Sequence, residues 1–489
     1  MDFKESLHQL IEERLASYLL VVVSNREPYI HTFSGDEIEC LRPASGLTVA
    51  LDPVMRAAAG VWIAHGSGDA DRAVVDSSSR VMVPPENPQY ALRRVWLSKE
   101  EEDGYYYGFA NDAMWPLCHI AFTPPTFNEA DWNTYKKVNS LFAEVILQEV
   151  GTNQAIILVQ DYHFALLPRM IKAQNPQLIV GQFWHIPWPN YEIFRICPWQ
   201  EEILDGLLGN DILGFHIQYH CNNFLETADR AIECRIDREK FAVILGGETT
   251  LVRPFPISVD FEALSAEAST GKVEREMKAL RHRWGLGNKL VGIGIDRIDY
   301  TKGIPERLRA LDRFFEKYPE YIGRMVFIQL GTSSRVRVEK YREINERIDH
   351  LVEEINRKYE SASWEPIIYV KELASPVTLA ALRRIADFCM VSSLHDGMNL
   401  VAKEFVSSRI DEDGVLILSQ FCGAAWELSD ALVINPYATD EFAETIKKAV
   451  EMPQEEKMVR MRRMREQVRE NDIYHWGIAL FSELAKLRP

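Results

Sequence analysis

The sequence predicts an α/β protein built as two doubly wound domains facing across a cleft, and three observations carry that prediction. Short, near-continuous apolar runs alternate with longer amphipathic stretches, the pattern of buried parallel strands joined by crossover helices. The 489 residues exceed what one hydrophobic core holds. Two prolines in "LVRPFPISVDFEAL" (251–264) break the pattern and leave halves of about 260 and 230 residues, each of domain size. The predicted bounds are 1–260 for the first domain and 261–470 for the second. Residues 471–489, with "YHWGIALFSELAKL", form a C-terminal helix that is a candidate to return to the first domain.

The elements follow in order. "LLVVVSN", "QAIILVQD" and "LIVGQFWH" are strands of the first half, with "WNTYKKVNSLFAEVILQEV" a helix between the first two. "KLVGIGIDR", "MVFIQLG", "DFCMVSS" and "GVLILSQF" are strands of the second, with "VEKYREINERIDHLVEEINRKY" a helix. In open parallel sheets ligands bind beyond the carboxyl ends of the strands. The residues there are Arg26, Asp161, His185, Arg297 followed by Lys302, Arg335, and Asp396. Any one of them reads as a solvated loop charge, but six across two domains point to a shared cleft. Three arginines and a lysine suit phosphate, the arginines by their planar fork and the lysine as a compact point charge.

In "VSSLHDGMNLVAKEF" (391–405), Asp396 and Glu404 flank a turn that opens a helix. Eight residues at the α-helical rise span about 12 Å. That is too far for a shared metal or an acid–base pair, and it suits holding two ends of one long ligand. The helix N-terminus at "DGMN" offers N–H donors to an anion, and Gly397 permits close backbone approach.

The totals narrow the class. A net charge of −17 argues against a general nucleic-acid partner. Seven scattered cysteines without a CxxC pair fit a reducing compartment. "YLLVVV" is too short to span a bilayer, so a soluble cytoplasmic protein with no membrane partner is expected. "GIGIDR" places Arg297 where a dinucleotide fingerprint has its third glycine. "HIQYH" spaces His216 and His220 as a metal pair would be spaced but lacks the neighbouring glutamate of the zinc protease motif, so an ordinary helix face is expected. No nucleophile elbow or P-loop occurs. The aromatic cluster "YYYGFANDAMWPLCH" (105–119) reads as a packed loop or as a sugar platform.

Taken together, "SNR", "YYYGFAN", "WPLCH", "DYHFALLP", "HIPWP", "EILDGLLG", "GFH", "DRIDYTKGIPERL", "DGMNLVAKE" and "GVLILSQFCGAA" resemble, in order, the trehalose-6-phosphate synthases. These are retaining glycosyltransferases of family 20, with the two-domain, Rossmann-like GT-B fold. The resemblance implies glucose transfer from a nucleotide-glucose, UDP-glucose foremost, to glucose 6-phosphate, yielding α,α-trehalose 6-phosphate. It implies that the first domain binds the acceptor and the second the nucleotide sugar. Arg26, Tyr106, Trp115 and Arg335 would contact the acceptor phosphate, and Asp161 the acceptor sugar near the attacking hydroxyl. Gly46, in "RPASGLTVAL", would lie over the donor diphosphate, with Arg297 and Lys302 on its other side. His185 would touch the donor glucose and Asp396 would take its hydroxyls. The Gly397–Met398–Asn399 backbone would hold sugar and phosphate, Leu400 and Val401 would line the nucleotide, and Glu404 would take the ribose. Asp161, His185, Arg297 and Lys302 are thus the implied catalytic set. With Arg297 and Lys302 neutralising the leaving group, neither metal nor cofactor is called for.

Three positions depart from the family pattern. His65 in "AHGSG" replaces an aromatic, Gln160 in "QDYH" replaces a histidine, and His395 in "LHDGMN" replaces an arginine. The rival readings are a glucosylglycerol-phosphate synthase using glycerol 3-phosphate, of which "REPY" (26–29) is reminiscent, and a catalytically silent sugar-phosphate-binding homologue. The sequence leaves the donor base and the oligomeric state undecided. The segment before Tyr18 reads as an amphipathic helix and a candidate contact in a homo-oligomer.

Overall fold

The computed structural model describes residues 3–42, 46–335 and 337–487. Residues Met1–Ile257 with Ile473–Pro489 form one compact unit, and Ser258–Asp472 form another.

Among the described residues, the first unit carries seven parallel strands. They are β1 (Leu19–Ser24), β2 (Val61–His65), β3 (Tyr90–Val95), β4 (Ala155–Gln160), β5 (Ile179–Phe183), β6 (Ile212–Phe215) and β7 (Glu248–Pro254). Their order in the sheet is β7-β6-β5-β4-β1-β2-β3. Antiparallel strands extend both edges, Arg80–Val83 beside β3 and the Arg235–Asp237/Ala242–Leu245 hairpin beside β7. Every residue of β4 and β5 is buried, as runs covered on both faces must be.

The second unit holds β8 (Leu290–Arg297), β9 (Met325–Thr332), β10 (Ile367–Val370), β11 (Phe388–Val391), β12 (Val415–Ser419) and β13 (Leu432–Ile434). All pairings are parallel, in the order β10-β9-β8-β11-β12-β13. In both units the strand order reverses once, between β1 and β4 and between β8 and β11. That is the doubly wound arrangement, and the reversal is where such sheets open a crevice.

Several strands lie outside the runs singled out from sequence. "ILGF" is too short to stand out, and "YALRRV" carries two arginines. Arg94 on β3 is nevertheless fully buried because two acidic side chains accept from its guanidinium, Glu27 Oε2 at 2.8 Å and the charged Asp71 Oδ1 at 2.7 Å. Residues 105–119 correct the packed-loop expectation. They are helical, with wide i→i+5 turns over Asp103–Met114 running into Trp115–His119, and the Trp115 N–H donates to the Ala110 carbonyl.

The N-terminal segment is a helix, Phe3–Arg14, with Leu7 and Ile11 buried. The last helix, Ile473–Ala485, packs against it, with Phe3 and His475 edge to face at 5.4 Å and Leu7 lying over Gly477. Among the described residues no helix is long and apolar enough to cross a membrane.

Replacing Arg94 by methionine strands the buried Asp71 carboxylate without its cation. Breaking one side of a buried charge pair costs about 3–5 kcal/mol. Chemical denaturation of Arg94→Met is expected to show that loss in the first unit's transition.

Candidate functional site

Each unit gathers its polar residues at its own strand-order reversal. In the first, Arg26 follows β1 and Asp161 follows β4, and these strands are neighbours. Asp161 adopts φ 70° and ψ 179°, a conformation that side chains other than glycine's rarely tolerate. Hydrogen bonds hold it there. Its N–H donates to the Phe183 carbonyl at 2.7 Å, and its Oδ1 accepts from the Tyr162 N–H at 2.9 Å and the His185 N–H at 3.1 Å.

The His185 ring is fixed from several sides. It lies edge to face on Phe183 at 4.5 Å, and its Nε2 stands 2.9 Å from Gln160 Oε1. Its carbonyl accepts from His216 Nε2 at 2.9 Å. Burial, and then the nearby His163 ring, push the His185 pKa down to about 3, so the imidazole is neutral throughout the neutral range. His216 and His220 do structural work: His220 Nδ1 lies 3.2 Å from the Trp188 carbonyl. Among the described residues no group of three or more metal-ligating side chains stands together.

Arg26 Nη2 reaches the Tyr106 hydroxyl at 3.5 Å, and the Tyr106 ring stacks on His163 at 5.7 Å. Arg26 and Tyr106 line a cavity of about 250 Å³ together with Glu27, His65, Ser67 and Glu102. Burial first, and the Asp71 carboxyl next, push Glu27 up to about 8, and its Oε1 accepts from the Ser67 N–H at 2.9 Å. His65 Nδ1 is 3.2 Å from the Val95 carbonyl. Trp115 is not a wall of this cavity. It is 6% exposed, with its ring 4.1 Å from His119 and 5.8 Å from Tyr162. Of the "RPASGLTVAL" stretch, Pro43, Ala44 and Ser45 lie outside the described residues, and Gly46 begins the helix Gly46–Ala58.

In the second unit Arg297 ends β8, Lys302 follows it, and Asp396 lies beyond the adjacent β11. Lys302 Nζ contacts Asp396 Oδ2 at 2.6 Å. Ser393 Oγ and Asn399 Nδ2 donate to the same oxygen, each at 3.1 Å. Burial alone would lower the lysine's pKa, but Asp396 and Asp299 more than restore it, so Lys302 stays charged. Asp299, missed in the sequence reading, is the buried counter-ion of the group. Thr301 donates to its Oδ1 through N–H (3.0 Å) and Oγ1 (2.9 Å), while Tyr341 Oη donates to Oδ2 at 3.3 Å. Burial opposes its charge, yet Arg335, Arg297 and Lys302 hold its pKa below the usual value. Arg335, at φ 50°, belongs to this unit, with Nη1 2.5 Å from Tyr341 Oη and 3.5 Å from Asp299 Oδ2.

The 396–399 turn is irregular, and the helix begins only at Leu400 (Leu400–Ser408), with Asn399 at φ 75° as its N-cap. The helical-rise estimate therefore applies from Leu400 onward and not from Asp396. Leu400, Val401 and Glu404 lie on the first turns, and Glu404 pairs with the buried Arg383. The turn is pinned by residues 421–424: the Asp396 N–H donates to the Phe421 carbonyl at 3.0 Å, and the Ala424 N–H to the Met398 carbonyl at 2.9 Å. A Cβ on Gly423 would lie 2.1 Å from the Gly397 carbonyl oxygen, so only glycine permits that approach. Asp161, Arg335 and Asn399 are three of the nine non-glycine residues at positive φ among the described residues. Strain of this kind collects where surrounding contacts over-determine the backbone.

The sequence model of glycosyltransferase family 20 matches residues 18–486. A UDP-forming α,α-trehalose-phosphate synthase of Dictyostelium discoideum is 34% identical over 99% of this chain, which spans 64% of that relative's length. A solved trehalose-6-phosphate structure from E. coli, bound with UDP-2-fluoro glucose, superposes with a TM-score of 0.86 at 30% identity, covering 96% of this chain and 99% of its own. A UDP-forming α,α-trehalose-phosphate synthase from Burkholderia xenovorans, in complex with glucose-6-phosphate, gives 0.86 at 28% identity over 95% of this chain and 99% of its own.

Gly423→Ala is expected to push the 396–398 turn off residues 421–424. Amide hydrogen exchange at Asp396, Gly423 and Ala424 is then expected to quicken roughly tenfold or more, as loss of about 1.4 kcal/mol of local stability requires.

Proposed function

The chain belongs to glycosyltransferase family 20, and we propose that it moves glucose from UDP-glucose to glucose 6-phosphate, releasing UDP and α,α-trehalose 6-phosphate. The observation that carries this reading is the gathering of Arg297 and Lys302 at the second unit's strand-order reversal, beside an Asp396 held by three donors. A nucleotide-sugar diphosphate needs cations there and the sugar needs an acceptor of hydroxyl hydrogens. Likeness to synthases along nearly the whole chain supports the same substrates.

In this reading the second unit takes the donor. Arg297 and Lys302 neutralise the diphosphate, Gly46 lies over it, and Asp396 with the Gly397–Asn399 backbone takes the glucose. Leu400 and Val401 lie along the nucleotide, and Glu404, oriented by Arg383, takes the ribose. The acceptor phosphate falls to Arg26 and Tyr106, which line the first unit's cavity, and the acceptor sugar to Asp161. Transfer proceeds with retention. The diphosphate leaves on the face from which the hydroxyl attacks, and one of its oxygens takes the hydroxyl proton. A His185 kept neutral can share a hydrogen bond with the donor glucose without adding charge near the anomeric carbon. Catalysis then rests on positioning and on cations placed where charge develops. With its scattered thiols, the protein is assigned to the cytoplasm.

A nucleotide-release assay crossing UDP-, GDP- and ADP-glucose with glucose 6-phosphate and glycerol 3-phosphate tests the reading. Turnover of UDP-glucose with glucose 6-phosphate to a non-reducing disaccharide phosphate is expected. Turnover with glycerol 3-phosphate alone would overturn it in favour of the glycerol acceptor. Arg297→Ala and Lys302→Ala are each expected to lower kcat by about 10²–10³. Arg26→Ala should raise KM for the phosphorylated acceptor by roughly 10–100-fold and leave the donor's KM unchanged.

A further inference from the structure

Gln160 stands where the strand pattern continues an apolar run, and it is completely buried. A glutamine there needs a reason, since a buried amide with an unmade hydrogen bond is costly and an apolar residue of similar volume would be cheaper. Gln160 is in that position. Its Nε2 finds no partner among the described residues, while its Oε1 lies 2.9 Å from His185 Nε2.

The register explains the encounter. Gln160 on β4 pairs with Phe183 on β5, and His185 follows Phe183 by two residues, beyond the strand end. The His185 backbone is already held at both ends, its N–H by Asp161 Oδ1 at 3.1 Å and its carbonyl by His216 Nε2 at 2.9 Å. Its ring is held edge to face on Phe183. What those contacts leave undecided is which ring nitrogen carries the proton.

We infer that Gln160 is a positioning residue that fixes His185 as the Nε2–H tautomer. An amide oxygen only accepts, so the ring nitrogen facing it must donate, and a neutral imidazole has one N–H to give. Nδ1 is left with a lone pair. Burial keeps the ring from taking a second proton, so Nδ1 remains an acceptor across the neutral range. In the proposed glucosyltransfer, on which only the kinetic consequence rests, the ring accepts a hydrogen bond from a sugar hydroxyl and does not donate one.

The test is the long-range ¹H–¹⁵N spectrum of the full chain labelled at histidine nitrogen, with the His185 signals identified by their loss in His185→Asn. Expected is a protonated Nε2 and an unprotonated Nδ1. A protonated Nδ1, or an averaged pair, overturns the inference without recourse to any Gln160 variant. Gln160→Glu keeps an acceptor, so the Nε2 proton is retained and the ring protonates at higher pH. Gln160→Met removes it, so the two nitrogens are expected to average and kcat to fall roughly tenfold with KM little changed. A wild-type tautomer persisting in Gln160→Met would also overturn the inference. An Nε2–H ring in a protein that transfers glucose to no acceptor would overturn the proposed function and leave this inference standing.

Discussion

Everything at the two candidate sites depends on one constraint of parallel sheets: neighbouring strands all end on the same edge. Where the strand order reverses, the connections on the two sides diverge and leave the carboxyl ends uncovered. In the first unit those ends belong to β1 and β4, and in the second to β8 and β11. Arg26, Asp161 and Arg297 lie within two residues of a strand end, while Asp396 is brought there by the pinned turn that follows β11. Buried ladders carry the first three there, and the first residues after each strand are where polar groups can begin.

Charge that arrives at such an edge has to be balanced before any ligand does so. In the second unit Asp396 answers Lys302, while Asp299 serves Arg335 and lies among the fields of Arg297 and Lys302. Lone cations would repel one another and be expensive to desolvate, whereas paired ones can be held half-buried and in place. The geometry is preorganised at the expense of backbone comfort: Asp161, Arg335 and Asn399 all sit at positive φ, each with hydrogen bonds that compensate. The same economy explains Gly423, whose missing side chain lets one turn close on another.

Away from the edges, the first unit shows how far burial of charge can be taken. Arg94 gathers Glu27, Asp71 and His31, the last at 2.8 Å, and so ties the stretch after β1 to the stretch after β2. Glu27 is at once a member of that cluster and a wall of the cavity beside Arg26. Stability and site shape therefore share residues, and a substitution beneath the cavity will be felt within it.

By itself the sequence determined the fold class, the long strands and most of the residues at strand ends, because those signals are local: an apolar run, a length, and a polar residue directly after it. It could not show "ILGF" or "YALRRV" as strands, since four residues are too few for a pattern and Arg94 looks exposed until its acidic partners are found. Nor could it show the helical turns of 103–114, where wide turns abandon the 3.6-residue period. Only the tertiary structure decided the pairings. Asp299 gains meaning from Arg335 and Tyr341, Gly423 from the Gly397 carbonyl, and Gln160 from His185. These partners are distant in the chain, and no local pattern records which side chain a fold will bring within hydrogen-bond reach of another.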